Sequence, residues 1–591
     1  MAAAGSTGAD HVPPWHRRGA GDGVHRRRAL AAALLLILAL VLLALPEVSP
    51  SSTAAQAASQ VTYLPGQTPM NAPYSTGTTV GGVTCGANIR QVPWSAYASA
   101  CQPKWTGNNG GATAPGVTPT TITLTYREAA TSILQELYTL VPPAVVGTNA
   151  LAIQTMQAYI NVFNKDFELY GRHVVLTPFN GQGNFIDEDT GGGAPQAQAD
   201  AITAASSLHA FADMSLVDSS VAYTQDLQAQ KVVAFGLYQQ DEQWYQQNAP
   251  WQYTPGPNCT KSAAAIAAIF GKQLKGETAQ FASGGLQNDP RKLGIFYPSP
   301  PTQHACEQAL VQDLATYGVS PVAQASLTFD ISQLPSESAT AVAQMKQAGA
   351  TTIICVGCDP ISPIYYFESA TADNYHPEWF FQSLYAANTT AGESWIRLLP
   401  ADQRDQIITA GTPETSNEEA EAVHAFELGN TTPGATIDPG FLLIYGSMIQ
   451  FFDGLQAAGP NLTPSNLEAA MKAIPQSSPG GELGDWNGKD GPYDPASGFQ
   501  ILRFANDAVS PADGLKGTYE VCNDGTVYPY DDPASALPAS TPLVCKVTPQ
   551  VPTGLGTVPA SGSTPTATTA PTATTSKQAL GNAPTTSKAR G

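Results

Sequence analysis

At 591 residues the chain is too long for one hydrophobic core, so two or three globular units with tails are expected. A hydrophobic content of 42% with only 13% charged residues describes a folded protein with an unusually uncharged surface. The net charge is −20, and −22 once residues 1–58, with five Arg against three acids, are set aside. A body this acidic repels nucleic acid and anionic lipid and weighs against both as partners.

The first segment reads as an address. Arg26-Arg27-Arg28 precedes an unbroken apolar run, Ala29 to Leu45, which Pro46 ends, and Ala55-Gln56-Ala57 fits the small-x-small pattern of signal peptidase. Two outcomes follow from it: cleavage, or retention of residues 1–58 as an N-terminal membrane anchor. Nothing after residue 60 could span a bilayer. Eight cysteines in an exported chain read as four disulfides, and proximity in sequence pairs Cys85 with Cys101, Cys259 with Cys306, Cys355 with Cys358 and Cys522 with Cys545. The Cys355-Val356-Gly357-Cys358 spacing also occurs in redox motifs, but those open a helix. This one sits where an apolar strand runs out, so a structural disulfide is the better reading.

Residues 59–118 are rich in Gly, Thr, Pro, Ser and Asn and form an irregular extension pinned by Cys85 and Cys101. From Thr121 the pattern alternates through Tyr126 and predicts a strand, followed by a helix over Ala150–Phe167 and a strand over His173–Thr177. Residues 180–195 read as a long loop, in which Asp187-Glu188-Asp189 is a solvated acidic run without the spacing of a calcium loop. A helix over Gln196–Phe211, strands near Ala212–Val217 and Val232–Leu237, and a helix between them complete a first α/β lobe, residues 119–255. Pro250–Asn258 suits a crossing to the next lobe.

A second lobe, residues 256–405, carries apolar runs at Leu293–Tyr297, Val322–Leu327, Thr351–Val356 and Trp379–Leu384 alternating with amphipathic stretches. Gln406–Thr412 reads as a returning crossing. Phe441–Ala458 and the helix opened by Thr463-Pro464 are expected to pack back on the first lobe, within a region 406–546 that also holds short strands near Phe499–Phe504 and Thr518–Val521. From Val547 to Gly591 a Pro/Thr/Ala/Ser tract cannot bury a core and is expected to be disordered. The fold class is therefore α/β, two doubly wound parallel-sheet lobes joined by a hinge.

Motifs for catalysis are missing. There is no H-E-x-x-H, no G-x-S-x-G and no G-x-x-x-x-G-K-[ST], and Gly181-Gln182-Gly183 lacks the third glycine of a dinucleotide fingerprint. His173, His209, His304, His376 and His424 are scattered without ligand spacing. No enzyme, cofactor or metal is expected. In open parallel sheets ligands sit beyond the carboxyl ends of strands, where loops meet helix N-termini. The candidate loops are Asp218-Ser219-Ser220, Tyr238-Gln239-Gln240, Pro300-Pro301-Thr302-Gln303, and those at Asp359 and Tyr385. Each of these residues also has a plain structural reading, a helix cap for the serines above all.

The ordered succession over residues 119–530 resembles the leucine/isoleucine/valine-binding protein family, solute receptors of the type I periplasmic-binding fold. The stretches that carry the resemblance are Asn149–Leu176, Ala212–Gly236, Arg291–Gly318, Gly349–Leu384, and Phe441–Gly446 with Gln456–Gly459. The resemblance implies an exported binding protein that captures an amino acid, amide or small carboxylate between its lobes and delivers it to an ABC permease, acting as a monomer. It places the ligand near Ser219, Ser220, Tyr238, Gln239, Thr302, Asp359 and Tyr385. Two features depart from the family. Pro300-Pro301-Thr302-Gln303 replaces its Tyr-Gly, and no acid stands beside Tyr385 to meet an amino group, which leaves Asp359 as the substitute. The alternatives from other classes are a cell-surface sensor or scaffold with the same fold, and an exported hydrolase.

Overall fold

The computed structural model describes residues 76–86, 89–236, 240–299, 304–328, 330–357, 361–381, 390–411, 417–476, 485–510, 514–538 and 543–546. Two short strands, β1 (Gly77–Thr78) and β2 (Thr84–Cys85), open the extension as an antiparallel pair. The alternation from Thr121 forms β3 (Thr121–Glu128). It is followed by α1 (Thr131–Leu137), α2 (Pro143–Val146) and α3 (Asn149–Asp166), whose start is capped by Thr148 accepting from the Leu151 amide at 3.2 Å.

Then come β4 (His173–Asn180), α4 (Phe185–Asp189), α5 (Ala194–Ile202), β5 (Ala212–Asp213), α6 (Val221–Ala229), β6 (Val233–Phe235), α7 (Glu242–Gln247) and β7 (Gln252–Tyr253). All five long-range strands run parallel in the order β4-β3-β5-β6-β7. One face of this sheet packs on α3, and the other on the alanine stripe of α5 with Tyr223 and Leu227 of α6.

The second lobe repeats the winding. Helix α8 (Cys259–Ile269) leads to β8 (Leu293–Pro298), α9 (His304–Thr316), β9 (Ala323–Leu327), α10 (Leu334–Gln347), β10 (Thr352–Cys355), α11 (Ser362–Ala372) and β11 (Glu378–Phe381). These are followed by α12 (Thr390–Ile396), α13 (Ala401–Arg404) and β12 (Ile407–Gly411). The parallel order is β9-β8-β10-β11-β12, which is the order of the first lobe, second strand outermost. Strands β10, β11 and β12 are buried along their whole length, as a sheet covered on both faces demands.

Here the sequence reading needs correction. Gln406–Thr412 is no crossing: Ile407–Gly411 is the fifth parallel strand, paired with β11. A short apolar run next to a loop carries no periodicity that separates a strand from a buried connector.

The chain then returns to the first lobe as α14 (Asn417–Gly429), α15 (Phe441–Ala458) and α16 (Pro464–Met471). A Cβ at Gly429 would lie 1.7 Å from the Ala158 carbonyl oxygen, so glycine is what lets α14 lie against α3. Finally β13 (Gly498–Val509), β14 (Lys516–Cys522), β15 (Tyr528–Pro529), α17 (Pro533–Ala536) and β16 (Cys545–Lys546) close the second lobe; β13, β14 and β16 extend its sheet antiparallel beyond β12.

The first and third passages between the lobes run side by side. The Thr254 amide donates to the Tyr493 carbonyl at 2.9 Å, and Asp494 accepts from the Asn258 amide at 2.5 Å and from Lys261 Nζ at 2.8 Å. Three expected disulfides are present, Cys85–Cys101, Cys259–Cys306 and Cys522–Cys545. Cys355 is disulfide-bonded too, while its expected partner Cys358 lies outside the described residues. Residues 1–75 and 547–591, which hold the address segment and the Pro/Thr-rich tail, also lie outside them. No helix among the described residues is long and apolar enough to cross a membrane.

The extension is irregular, as its composition implies, yet it is built into the core. Val92, Tyr97 and Ala98 are fully buried with Met156, Phe163, Tyr445 and Phe452 of α3 and α15. The Ser99 amide and hydroxyl donate to Asp453 of α15 at 2.7 and 2.6 Å, and the Ala96 amide donates to Glu421 of α14 at 2.9 Å. Tyr97→Ala is expected to cost about 3–5 kcal/mol, the range for deleting a buried aromatic ring, in urea unfolding of the whole protein. A change below about 1 kcal/mol would mean that the extension is an appendage.

Candidate functional site

In a sheet wound in this order the crevice opens where connections diverge, between the first and third strands, at their carboxyl ends. In the first lobe that is the end of β3 beside the end of β5. Arg127, the penultimate residue of β3, points its guanidinium into this position and is completely buried. It meets Glu188 through two bonds, Nη1 to Oε1 at 2.7 Å and Nη2 to Oε2 at 3.1 Å. Its Nε lies 3.0 Å from Asp218 Oδ2, its Nη1 lies 3.4 Å from Asp200 Oδ2, and its plane covers the Tyr223 ring at 3.8 Å.

Each acid is also held by backbone or hydroxyl groups. Asp200 accepts from the Gln182 and Gly183 amides at 2.8–2.9 Å, and Asp218 accepts from the Phe185 amide at 3.1 Å. Beneath them Asp213 accepts from Thr125, Ser215 and Tyr223 hydroxyls at 2.7, 2.5 and 3.1 Å. Gly181-Gln182-Gly183 finds its reason here: a Cβ at Gly181 would fall 2.8 Å from the Arg127 side chain, and one at Gly183 would fall 2.3 Å from Glu188 Oε1.

The acidic run is therefore not a solvated loop. It folds as α4, capped by Asn184, with Glu188 turned inward and only 5% exposed. One cation faces three carboxylates. Burial pushes Asp218 up to about 7; Glu188 and Asp200 add to this, while Arg127 opposes it. Burial also raises Asp213.

Of the seven candidate ligand residues, the described structure places Ser219 and Ser220. Ser220 is fully buried: its hydroxyl accepts from the Tyr223 amide at 3.0 Å as the N-cap of α6 and donates to Glu188. Its bonding is internal. Ser219 is half-buried and stands between Asp218 and Ser220, both held by the Arg127 network. Tyr238, Gln239, Thr302, Asp359 and Tyr385 lie outside the described residues.

At the matching edge of the second lobe, β8 ends at Pro298 and the His304 ring bonds the Ser299 carbonyl at 3.0 Å while standing edge-on to Tyr297. The neighbouring strand β10 ends at the disulfide-bonded Cys355, in register with Phe296 of β8. Among the described residues no group of three or more His, Cys, Asp or Glu is arranged to hold a metal ion.

Arg127 and Glu188 were missed by sequence reasoning. The available signal was an arginine directly after an alternating strand, answered sixty residues on by an acidic run in a glycine-rich loop. A second omission is the 20-residue connection between β3 and α3, which holds α1 and α2.

No family model matches the chain, and no curated protein matches it. Among solved structures it is similar to a leucine-, isoleucine-, valine-, threonine- and alanine-binding protein from Brucella ovis in a closed conformation, at 13% identity and a TM-score of 0.49 over 73% of this chain and 99% of that one. It is also similar to a solute-binding protein of an ABC transporter from R. palustris in complex with 4-hydroxybenzoate (13%, TM-score 0.42, 67% and 95%). A third likeness is to an ABC transporter substrate-binding protein from Desulfitobacterium hafniense in complex with Leu (10%, TM-score 0.43, 68% and 99%). The architecture itself, two equally wound sheets with the chain passing between them three times, is the type I periplasmic-binding fold.

Two outcomes are expected from this chemistry. Arg127→Met strands buried acids without their cation and is expected to lower stability by about 3–5 kcal/mol in urea unfolding; Arg127→Lys, without the planar fork, should restore little of it. The second concerns pH. Burial raises Asp166, Asp438 and Asp494 to about 6 and Asp218 and Asp453 to about 7. All five hold a proton more tightly folded than unfolded, so the penalty for ionising them begins near pH 4 and is complete above their folded values. Calorimetric Tm should fall as pH rises from about 5 to about 8; a flat or rising Tm over that window would contradict the assignment.

Proposed function

We propose that the protein is an exported solute receptor that closes its two lobes on a small polar ligand, an amino acid, amide or small carboxylate, and presents it to an ABC permease. The observation that carries this reading is the paired placement of two switch-point edges in one chain, joined by passages that run side by side at Thr254–Asn258 and Tyr493–Ala496. Such an arrangement lets two rigid lobes rotate about a narrow hinge, and ligand contacts made to both lobes favour the closed form.

The first-lobe edge supplies Ser219 at the start of α6, held by a buried network that leaves little freedom to the loop. A polar head docking there meets a preorganised surface and loses less entropy than it would in ordering a mobile loop. The remaining ligand residues proposed are Ser220, as support for that surface, with Tyr238 and Gln239 from the first lobe and Thr302, Asp359 and Tyr385 from the second. The address segment, cleaved or kept as a tether, would place this receptor outside the membrane that carries its permease, and it would act as a monomer.

The test is a thermal-shift screen of the whole exported chain against amino acids, amides, and aliphatic and aromatic carboxylates. A ligand at 100 to 1,000 times its Kd should stabilise the protein by roughly 3–4 kcal/mol. Ser219→Ala is expected to weaken that ligand about tenfold without lowering the stability of the free protein, the effect of one hydrogen bond to a charged or polar head. No shift with any compound, or an unchanged affinity in both Ser219→Ala and Asp359→Ala, would remove the proposed pocket.

A further inference from the structure

The connection that leaves β3 at the switch point does not run directly into α3. Between Ala129 and Thr148 the chain makes an excursion whose two ends are pinched together by one side chain: Asn149 Oδ1 accepts from the Ala129 amide at 3.1 Å and Asn149 Nδ2 donates to the Ala129 carbonyl at 2.8 Å. Tyr138 closes the same neck, its hydroxyl donating to the Gly147 carbonyl at 2.9 Å. The base of the excursion therefore belongs to the first lobe.

Five of its apolar residues pack with the second. Leu137, 8% exposed, and Val141, 1% exposed, are members of the core cluster formed by Phe296 of β8, Leu334 of α10, Tyr366 of α11 and Trp395 of α12. Leu140, Val145 and Val146 pack against that cluster from the outside, and α2 lies against α12. Both α11 and α12 follow carboxyl ends of second-lobe strands. The excursion thus starts at the ligand edge of one lobe and buries its side chains in the ligand side of the other.

We infer that Ala129–Thr148 is a strap that latches the lobes together, so that the cleft opens only as Leu137 and Val141 leave the second-lobe core. The physical reason is simple. Rotation of the lobes apart must either pull these two side chains out of an apolar core into water or drag the pinched neck apart, and the neck is held by three hydrogen bonds within one lobe while the other anchor is purely hydrophobic. The weaker directional hold is at the second lobe, so the strap parts there. A receptor with this device pays for opening by exposing these two side chains, so the strap adds to whatever else favours the closed form. The purpose assigned to the strap rests on the receptor reading given above, but its latching does not.

The test uses ligand-free protein, so its failure is separate from that of the ligand screen. Amide hydrogen exchange over residues 131–146 and over α12 is measured together with the radius of gyration by small-angle scattering. In the native protein these amides should be protected. In Leu137→Ser/Val141→Ser they should exchange at least about 100-fold faster, the factor expected from releasing two buried aliphatic side chains, and the radius of gyration should increase. The β-strand amides of both lobes should keep their protection. Should the double variant fail to fold, replacing residues 131–146 by two glycines, feasible because Ala129 and Asn149 already touch, offers the same scattering readout. Native-like exchange in α12 with an unchanged radius of gyration, in either variant, would overturn the latch.

Discussion

The first lobe depends on how a single guanidinium is shared. Arg127 stands near the end of β3, at the point where neighbouring connections diverge, and two of those connections meet on it. The connection after β4 comes to it through Glu188 of α4 and Asp200 of α5, and the connection after β5 through Asp218 and through Ser220, the cap of α6, which is bonded to Glu188. Burying four such charges is unfavourable unless they are paired, and beside the cation the network supplies backbone amides to Asp200 and Asp218 and a hydroxyl to Glu188. That is why the loops have the sequence they have: glycines at 181 and 183 for approach, Asn184 and Ser220 as caps, and serine at 215 between the Arg127 amide and Asp213.

The same device recurs away from the cleft, with different partners. Asp453 and Glu421 take amides and hydroxyls from the extension, Asp494 takes Lys261 and the Asn258 amide where two passages meet, and Glu378 takes Arg291 through two bonds at 2.8 Å where β11 begins. In each case a carboxylate joins chain segments far apart in sequence. Burial is the largest influence on Asp218, Asp453 and Asp494 and raises all three, so each joint holds its proton to a higher pH than an exposed carboxyl would.

The parts legible in the sequence were those with a period. Strand β3, helix α3 and helix α15 were placed within a few residues because alternation and the 3.6-residue stripe are statements about which face is buried. The two doubly wound lobes followed from their order. What escaped is what has no period. Ile407–Gly411 is five buried residues without alternation, so it reads equally as strand or connector. Glu188 sits in a run that looks solvated, since burial of a charge is decided by a partner sixty residues away. Of the candidate site, Ser219 and Ser220 were singled out because their loop follows a strand and opens a helix, a placement that does not distinguish a hydroxyl turned to Glu188 from one turned to a ligand. The extension was legible as irregular and not as core, because Val92 and Tyr97 are buried by α3 and α15 rather than by each other.

These elements divide the labour between the lobes unequally. The first lobe is assembled from four stretches of chain, the extension, β3 through β7, the helices α14 to α16 and the segment around Trp486 and Tyr493, all meeting in one apolar cluster. Its sheet edge is cross-linked by Arg127. A body closed from so many directions has few soft internal coordinates, so relative motion is concentrated at the passages beside Asp494 and at the strap. The passages are joined by a buried ion pair, which tolerates rotation about its axis better than separation, whereas the strap's contacts with the second lobe are apolar and without direction. Under the strap proposal, opening is a relative rotation of the lobes beside the Asp494 joint that ends the contact of Leu137 and Val141 with the second-lobe core.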